Sequence, residues 1–526
     1  MQKTTLWLAA ALAVASSCQR ASDDELAKPD PALSGEALST GQLDEQIWAR
    51  VRQTGSYEWQ GASDHVVWSA LERSDNVLSI GYAPAGNRCG TPGATDQLPA
   101  RAADDEAFRR VRQQVLEMVL AEERKGNPAL TMEQLVVFQD EILPVLSVRV
   151  QQLSTVQRLR SSPLVRYAEP MGYEPYHPGT ANRTLSSSGC GSNSATPNLI
   201  AGSDFTVLSN GSKSSWNQAD VYHGIRSAWT QSTGRGMKLM IIDSGSSSAQ
   251  ENLGSAFNQG LSSGRTIERL VTMPRNTIFG IPYGDVETPN DGCGHGTSMA
   301  GVAAAPRGTD GASVGVAYNA NLVTVRAAAD VFLDESREVK GVSDAFTLAG
   351  NRSDIRIISM SMGRVTSSSQ MTDAIRYAHQ RGKLIFCAAG TSFDWTAGWV
   401  GVIYPASLPE AIAVTGVKDN LTSRCDECHV GSDVEFTVVM QKSSNNLRPL
   451  SLAMSGDAPS TVGGSSVATA TMGGMAAVVW ALYPTETRDQ IRQRLISASS
   501  NATNRSPSFG YGRVNLARAV GANVVQ

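Results

Sequence analysis

No apolar run in the 526 residues reaches the roughly 18 needed for a membrane-spanning helix. An excess of positive charge is missing too: 45 Lys and Arg stand against 49 Asp and Glu, a formal net charge of −4. No basic field therefore invites nucleic acid. The 48 glycines follow no collagen period. No internal repeat of solenoid spacing occurs, and no EF-hand loop or clear ligand cluster marks a cation site. What is there argues for a folded chain: 41% hydrophobic and only 18% charged residues exclude wholesale disorder. At roughly 100 to 200 residues per domain, the length predicts about three domains with sizeable cores.

Residues 1–18 read MQKTTLWLAAALAVASSC. Lys3 supplies a positive start and Leu6 to Ala15 an apolar core, followed by small residues, so 1–17 is read as an export signal. Two endings compete. Ala13-Val14-Ala15 fits ordinary signal cleavage, whereas Ala15-Ser16-Ser17-Cys18 resembles a bacterial lipobox, in which Cys18 becomes the lipidated first residue. Lipid anchoring in the cell envelope is weighted above soluble secretion, and that anchor is the only membrane contact expected. Export permits disulfides. Beyond Cys18, Cys387 lies in the apolar run KLIFCAAG and is expected as a buried free thiol, while Cys89 is left unassigned. Pairing among Cys190, Cys293, Cys425 and Cys428 leaves three connectivities open. The run Cys425-Asp-Glu-Cys428-His429 also spells a haem-attachment motif; as a single copy it is read as a disulfide first. A zinc site lacks a second ligand pair.

Residues 18–60 are polar and weakly patterned and are read as a tether. Residues 61–172 form a compact segment. Within it Asp104 can cap a helix with Phe108, Val111, Val115, Met118 and Val119 as its apolar stripe, closed at Gly126. Strands are expected at 143–150 and 164–169, with a short helix over 154–160, giving a small α+β domain. Residues 173–215 are rich in Ser, Gly, Asn and Pro and are read as an exposed linker prone to nicking. From 216 to 526 short apolar runs recur at 237–242, 321–325, 355–362, 383–389 and 411–417, alternating with helical segments. That pattern predicts an α/β fold, a parallel sheet covered by helices on both faces, with chemistry at the carboxyl ends of its strands.

Three polar residues fall at suggestive places. Asp243 ends the run MIIDSGS, His295 sits in DGCGHGTSMAGVAAA, and Ser466 sits in GGSSVATATMGGMAAVVWAL just before a helix of small residues. These segments resemble those of the subtilisin-like serine proteases, the subtilases: IIDSG matches the family's Asp motif, HGTSMAG its His motif and GSSVATA its Ser motif. GVAYNANLVTVRA (315–327), ISMSMG (358–363), YPASLPEAIAVTGV (404–417) and FGYGRVNLARAV (509–520) agree as well, and 143–170 looks like the end of a subtilase propeptide. The resemblance implies a subtilisin-like peptidase domain over 216–526, with the 61–172 segment as folding aid and inhibitor. It implies Ser466 as nucleophile, His295 as general acid and base, and Asp243 as the carboxylate that orients the imidazole.

It also implies a peptide or protein substrate added as a strand along Ser361, Met362 and Gly363. The family's oxyanion-binding Asn is replaced, because the fourth motif reads Ala388-Ala389-Gly390-Thr391. Thr391 is expected to donate in its place, helped by the Ser465 hydroxyl, in a slower enzyme. No cofactor is required for this chemistry. Family members often hold structural calcium, but no metal ligands are named here. The expectation is an extracytoplasmic serine endopeptidase made as a zymogen. Its rivals are a weakly active or silent peptide-binding protein of the same fold, and a c-type electron carrier built on Cys425 to His429.

Overall fold

The computed structural model describes residues 35–85, 101–176, 190–191, 193–278, 281–391 and 401–522. The proposed signal segment, Cys18 and Cys89 lie outside these residues. The first folded unit begins earlier than its sequence suggested. Helix α1 (Thr40–Thr54) stands inside the stretch read as a tether, closed by a Ser39/Gln42 capping box and by Gly55 at φ 79°. Its Leu43, Ile47, Trp48 and Val51 are buried, a one-face pattern diluted by charged neighbours. Helices α2 (Asp64–Glu72), α3 (Glu106–Glu123) and α4 (Leu153–Arg160) join it. They cover an antiparallel sheet in the order β2 (Val136–Phe138), β3 (Val145–Arg149), β1 (Val77–Tyr82), β4 (Val165–Pro170). Helix α3 is capped by Asp105 rather than Asp104: its carboxylate accepts from the amides of Ala107 and Phe108.

Strand alternation decides what this sheet touches. Along β1, Leu78 and Ile80 enter the unit's own core with Trp59, Val115 and Leu159. The intervening Val77 and Ser79 face the second unit. Across Gly81 lies the Tyr167 ring, 2.2 Å from where a Cβ would sit, so only glycine fits.

The second unit holds a seven-stranded parallel sheet. With β5 (Lys238–Asp243), β6 (Ile267–Val271), β7 (Asn321–Arg326), β8 (Ile357–Met360), β9 (Leu384–Ala388), β10 (Ile412–Lys418) and β11 (Val434–Gln441), the order is β11-β10-β9-β8-β5-β7-β6. Apart from the half-buried edge strand β6, these strands are buried nearly throughout, as a sheet covered on both faces requires. One face carries α5 (His295–Ala304) and α8 (Gly464–Leu482), and the other α6 (Ser336–Asn351) and α7 (Ser369–Gln380). Helix α8, with 19 residues, is apolar enough on average to cross a membrane, although Gly, Ser and Thr break it up and its longest uninterrupted apolar run is only Met475–Leu482. An 83% buried window places it instead at the centre of the core.

The first unit sits on α6 and α7. Asp75 accepts from the Ser336 amide at the start of α6, and Glu169 from the Ser369 amide and hydroxyl at the start of α7. Tyr167 and Arg166 both reach Asp373 of α7. Burial pushes the Glu169 carboxyl up to about 7, against the opposing pull of the Ser369 donors.

The stretch read as a linker is also corrected at both ends. Tyr173 and Glu174 are buried, and Phe205–Val207 pairs with Lys213–Ser215 as a hairpin on the second unit. Asn193 is bound to Gly294, Leu452 and Ser460. Residues 177–189 lie outside the described residues. Of the three open pairings, the observed one is Cys190–Cys293 with Cys425–Cys428, and Cys387 is a buried free thiol pushed up to about 12 by burial. The haem reading falls with this, since the two sulfurs it needs are bonded to each other.

Candidate active site

Three neighbouring strands, β9, β8 and β5, deliver their carboxyl ends to one edge, where α5 and α8 begin. Asp243 is the last residue of β5 and wholly buried. His295 is the first residue of α5, and its Nδ1 lies 2.8 Å from Asp243 Oδ1. The turn into α5 needs glycine next to the histidine: a Cβ on Gly296 would fall 2.2 Å from the Gly245 carbonyl oxygen.

The Asp–His pair rests on two residues that sequence reasoning missed. The Ser244 hydroxyl donates to Asp291 at 2.9 Å and lies 3.2 Å from Asp243 Oδ1, while its amide donates to the same Asp243 oxygen. Asp291, also wholly buried, collects the amides of Cys293, Gly294 and Thr297 and the Thr297 hydroxyl. It therefore folds the loop onto the amino end of α5 and supplies negative charge there. An acid four residues before a helix-starting histidine was the available signal.

Burial alone would lower the His295 pKa, but the Asp243 charge and hydrogen bond, with Asp291 and Asp330 behind them, raise it above the ordinary value. A base that must be neutral is then lost as pH falls through a midpoint above the ordinary histidine value. The acid limb of any His295-dependent rate is expected there, and Asp243→Asn is expected to move it to lower pH; a pH profile of kcat/KM checks both.

Ser466 lies in the first turn of α8 and lines, with His295, a cleft of about 380 Å³. Ser361, Met362, Gly363, Thr391 and Ser465 line it too, so every catalytic, oxyanion or substrate residue that the sequence nominated, except the buried Asp243, faces this space. One contact differs from expectation. Among the described residues Ser466 Oγ makes no hydrogen bond to His295; it donates to the Ser361 carbonyl at 3.4 Å, and the Ser361 hydroxyl donates back to the Ser466 carbonyl. A bond that long is weak, and catalytic hydrogen bonds commonly tighten only when substrate is present.

Thr391 and Ser465 meet each other. Their hydroxyl oxygens are 2.8 Å apart, the Ser465 amide donates to Thr391 Oγ1, and the Gly390 amide donates to Ser465 Oγ. Gly464 makes this approach fit: its φ is +81°, and a Cβ would lie 2.8 Å from Thr391 Oγ1. Gly363 is tied through its amide and carbonyl to Val331 and Leu333, which extends the cleft wall. Among the described residues no group of three or more His, Cys, Asp or Glu side chains is placed to hold a metal ion. The arrangement offers an imidazole held by a buried carboxylate and a serine hydroxyl at a helix start, sharing one cleft.

The subtilase family model matches residues 234–513. The chain is 32% identical over 235 residues to subtilisin DY of Bacillus licheniformis, covering 42% of this chain and 75% of that protein. It is 33% identical over 236 residues to a thermostable alkaline protease of Halalkalibacterium halodurans, covering 44% of this chain and 58% of that one. Among solved structures, a protease of Pseudoalteromonas arctica is 21% identical and aligns over 60% of this chain and 98% of its own, with a TM-score of 0.46.

Proposed function

The chain belongs to the subtilase family of serine peptidases, and on that premise we propose that it is an exported endopeptidase, made as a zymogen, that acts through Ser466. The observation that carries this reading is the 2.8 Å Asp243–His295 pair opening onto the cleft that Ser466 lines. His295 Nε2 takes the Ser466 proton as Oγ attacks the peptide carbonyl. It returns that proton to the leaving amine, and the acyl-enzyme is then hydrolysed by a water that His295 deprotonates. Asp243 keeps Nδ1–H oriented and stabilises the imidazolium that forms between the two transfers.

The serine amide at the start of α8 and the Thr391 hydroxyl are assigned to the developing oxyanion, with Ser465 holding Thr391 in place. Substrate is assigned to the wall formed by Ser361, Met362 and Gly363, pairing through main chain. The rival reading, a peptide-binding protein that barely turns over, draws on the Ser466–Ser361 hydrogen bond and on Thr391 in place of an amide donor. Hydrolysis of a peptide library, with and without a serine-reactive inhibitor, decides between them. Inhibitor-sensitive cleavage supports the peptidase, and an uncut library supports the rival.

The zymogen reading draws on the docked first unit. Cys190 is bonded to Cys293, two residues before His295, so the position of the maturation cut matters. A cut within 177–189 frees the first unit, whereas a cut after Cys190 leaves it attached through the disulfide. The expected mature protein therefore begins between these residues and keeps Cys190, which amino-terminal sequencing of the active protein checks. Lipid anchoring at Cys18 is proposed for the uncut chain, carried by the lipobox-like sequence, and the cut within 177–189 then releases the peptidase from that anchor.

A further inference from the structure

Gly363, on the cleft wall, is followed by Arg364, whose side chain is 0% exposed. A guanidinium that deep needs acceptors, and the segment leading out of the first unit supplies them. Arg364 Nε donates to Glu174 Oε1 at 2.9 Å, while its two terminal nitrogens donate to the carbonyls of Met171 and Tyr173 at 3.0 and 2.8 Å. The Glu174 carboxylate, itself 1% exposed, takes further bonds from the Val365 amide at 2.8 Å, the Thr366 amide at 3.0 Å and the Thr366 hydroxyl. Arg364 is anchored through its own amide to the Tyr404 carbonyl, so the cradle belongs to the second unit. Four donors on three consecutive residues thus converge on one carboxylate, and the guanidinium also reads the peptide carbonyls beside it.

We infer that residues 364–366 form a substrate subsite for an acidic residue, which the chain's own Glu174 fills until maturation. The inference rests on the zymogen reading. When the first unit leaves, the Arg364 guanidinium loses every described acceptor except the Thr366 hydroxyl. The cradle then opens at the end of the cleft wall away from Ser466. Glu174 precedes the expected cut, so the acid it stands in for lies upstream of the bond cleaved. A glutamate restores the charge-assisted bonds; a glutamine of the same shape turns an amide group, itself a donor, toward a set of donors.

The test uses the self-processed protein and quenched-fluorescence peptides that share one cleavable bond. A single Glu is stepped through the upstream positions, each peptide paired with its Gln twin. At one position kcat/KM for Glu is expected to exceed that for Gln by roughly tenfold or more. Arg364→Met is expected to abolish this preference, bringing the ratio of kcat/KM for Glu over Gln at that position to about one. Where that variant does not fold, the paired peptides on the unaltered protein decide alone. A protein that sheds the first unit, cleaves peptides and treats Glu and Gln alike at every position overturns the inference by itself, as does a preference that survives Arg364→Met. A protein that keeps the first unit while fully active, or that cuts no peptide, overturns the zymogen or peptidase reading and the subsite with it.

Discussion

Once its first unit is removed by the unaltered protein in trans, Ser466→Ala is expected to lower kcat by roughly 10⁶-fold, a figure taken from subtilisin itself, while leaving the fold and peptide binding in place. The hydroxyl is partly exposed in the cleft and makes only a 3.4 Å hydrogen bond, so its removal creates no buried cavity and strands no partner. Asp243→Asn is expected to cost roughly 10⁴-fold, because an amide can turn its NH₂ toward His295 and stabilise the wrong tautomer. The loss from either variant belongs in kcat, with KM little changed, since neither group contributes to ground-state binding. Combining the two is expected to add little beyond Ser466→Ala, as members of one relay are not additive. Steady-state kinetics on a peptide substrate, with circular dichroism to check the fold, measures all three. A Ser466→Ala protein that retains hydrolysis would remove the nucleophile from the account.

Thr391→Val carries the second large effect, and a hydroxyl inventory shows why. Ser465 is wholly buried; its Oγ already accepts from Gly390, and its hydroxyl proton has Thr391 Oγ1 within 2.8 Å. With Ser465 donating to Thr391, the Thr391 proton is left over and has the cleft to point into. Valine keeps the volume and removes that donor. The expected result is a fall in kcat of roughly 10²-fold at nearly constant KM, the lower end of the cost of losing one oxyanion donor in subtilisin. An unchanged kcat would make Thr391 a packing residue and leave the serine amide as the sole donor.

Much of the second unit could be read from its strands. Runs such as 237–242 and 383–389 are apolar without alternation, which only a doubly covered sheet accommodates, and they became β5 and β9. His295 and Ser466 could be read because the segments around them, HGTSMAG and GSSVATA, resemble the His and Ser motifs of the subtilases. The first unit was legible where its periodicity was clean, as in α3, and missed in α1, where Asp44, Glu45, Arg50 and Arg52 interrupt a stripe of four buried residues. The cysteine pairing required three dimensions, because Cys190 and Cys293 are 103 residues apart. Asp291 and Arg364 escaped notice for a shared reason. Each acts through bonds to main chain and to residues distant in sequence, and a lone Asp or Arg in a loop ordinarily reads as a solvated charge.

The account turns on one serine made nucleophilic by a carboxylate-held imidazole. Its most direct measurement is peptide mapping of the self-processed protein by mass spectrometry after treatment with a fluorophosphonate. The predicted result is a single adduct on Ser466 that forms faster as pH rises through the His295 midpoint and is absent from His295→Ala whose first unit has been removed in trans. An adduct on any other residue, or none on a folded and processed protein, would contradict it.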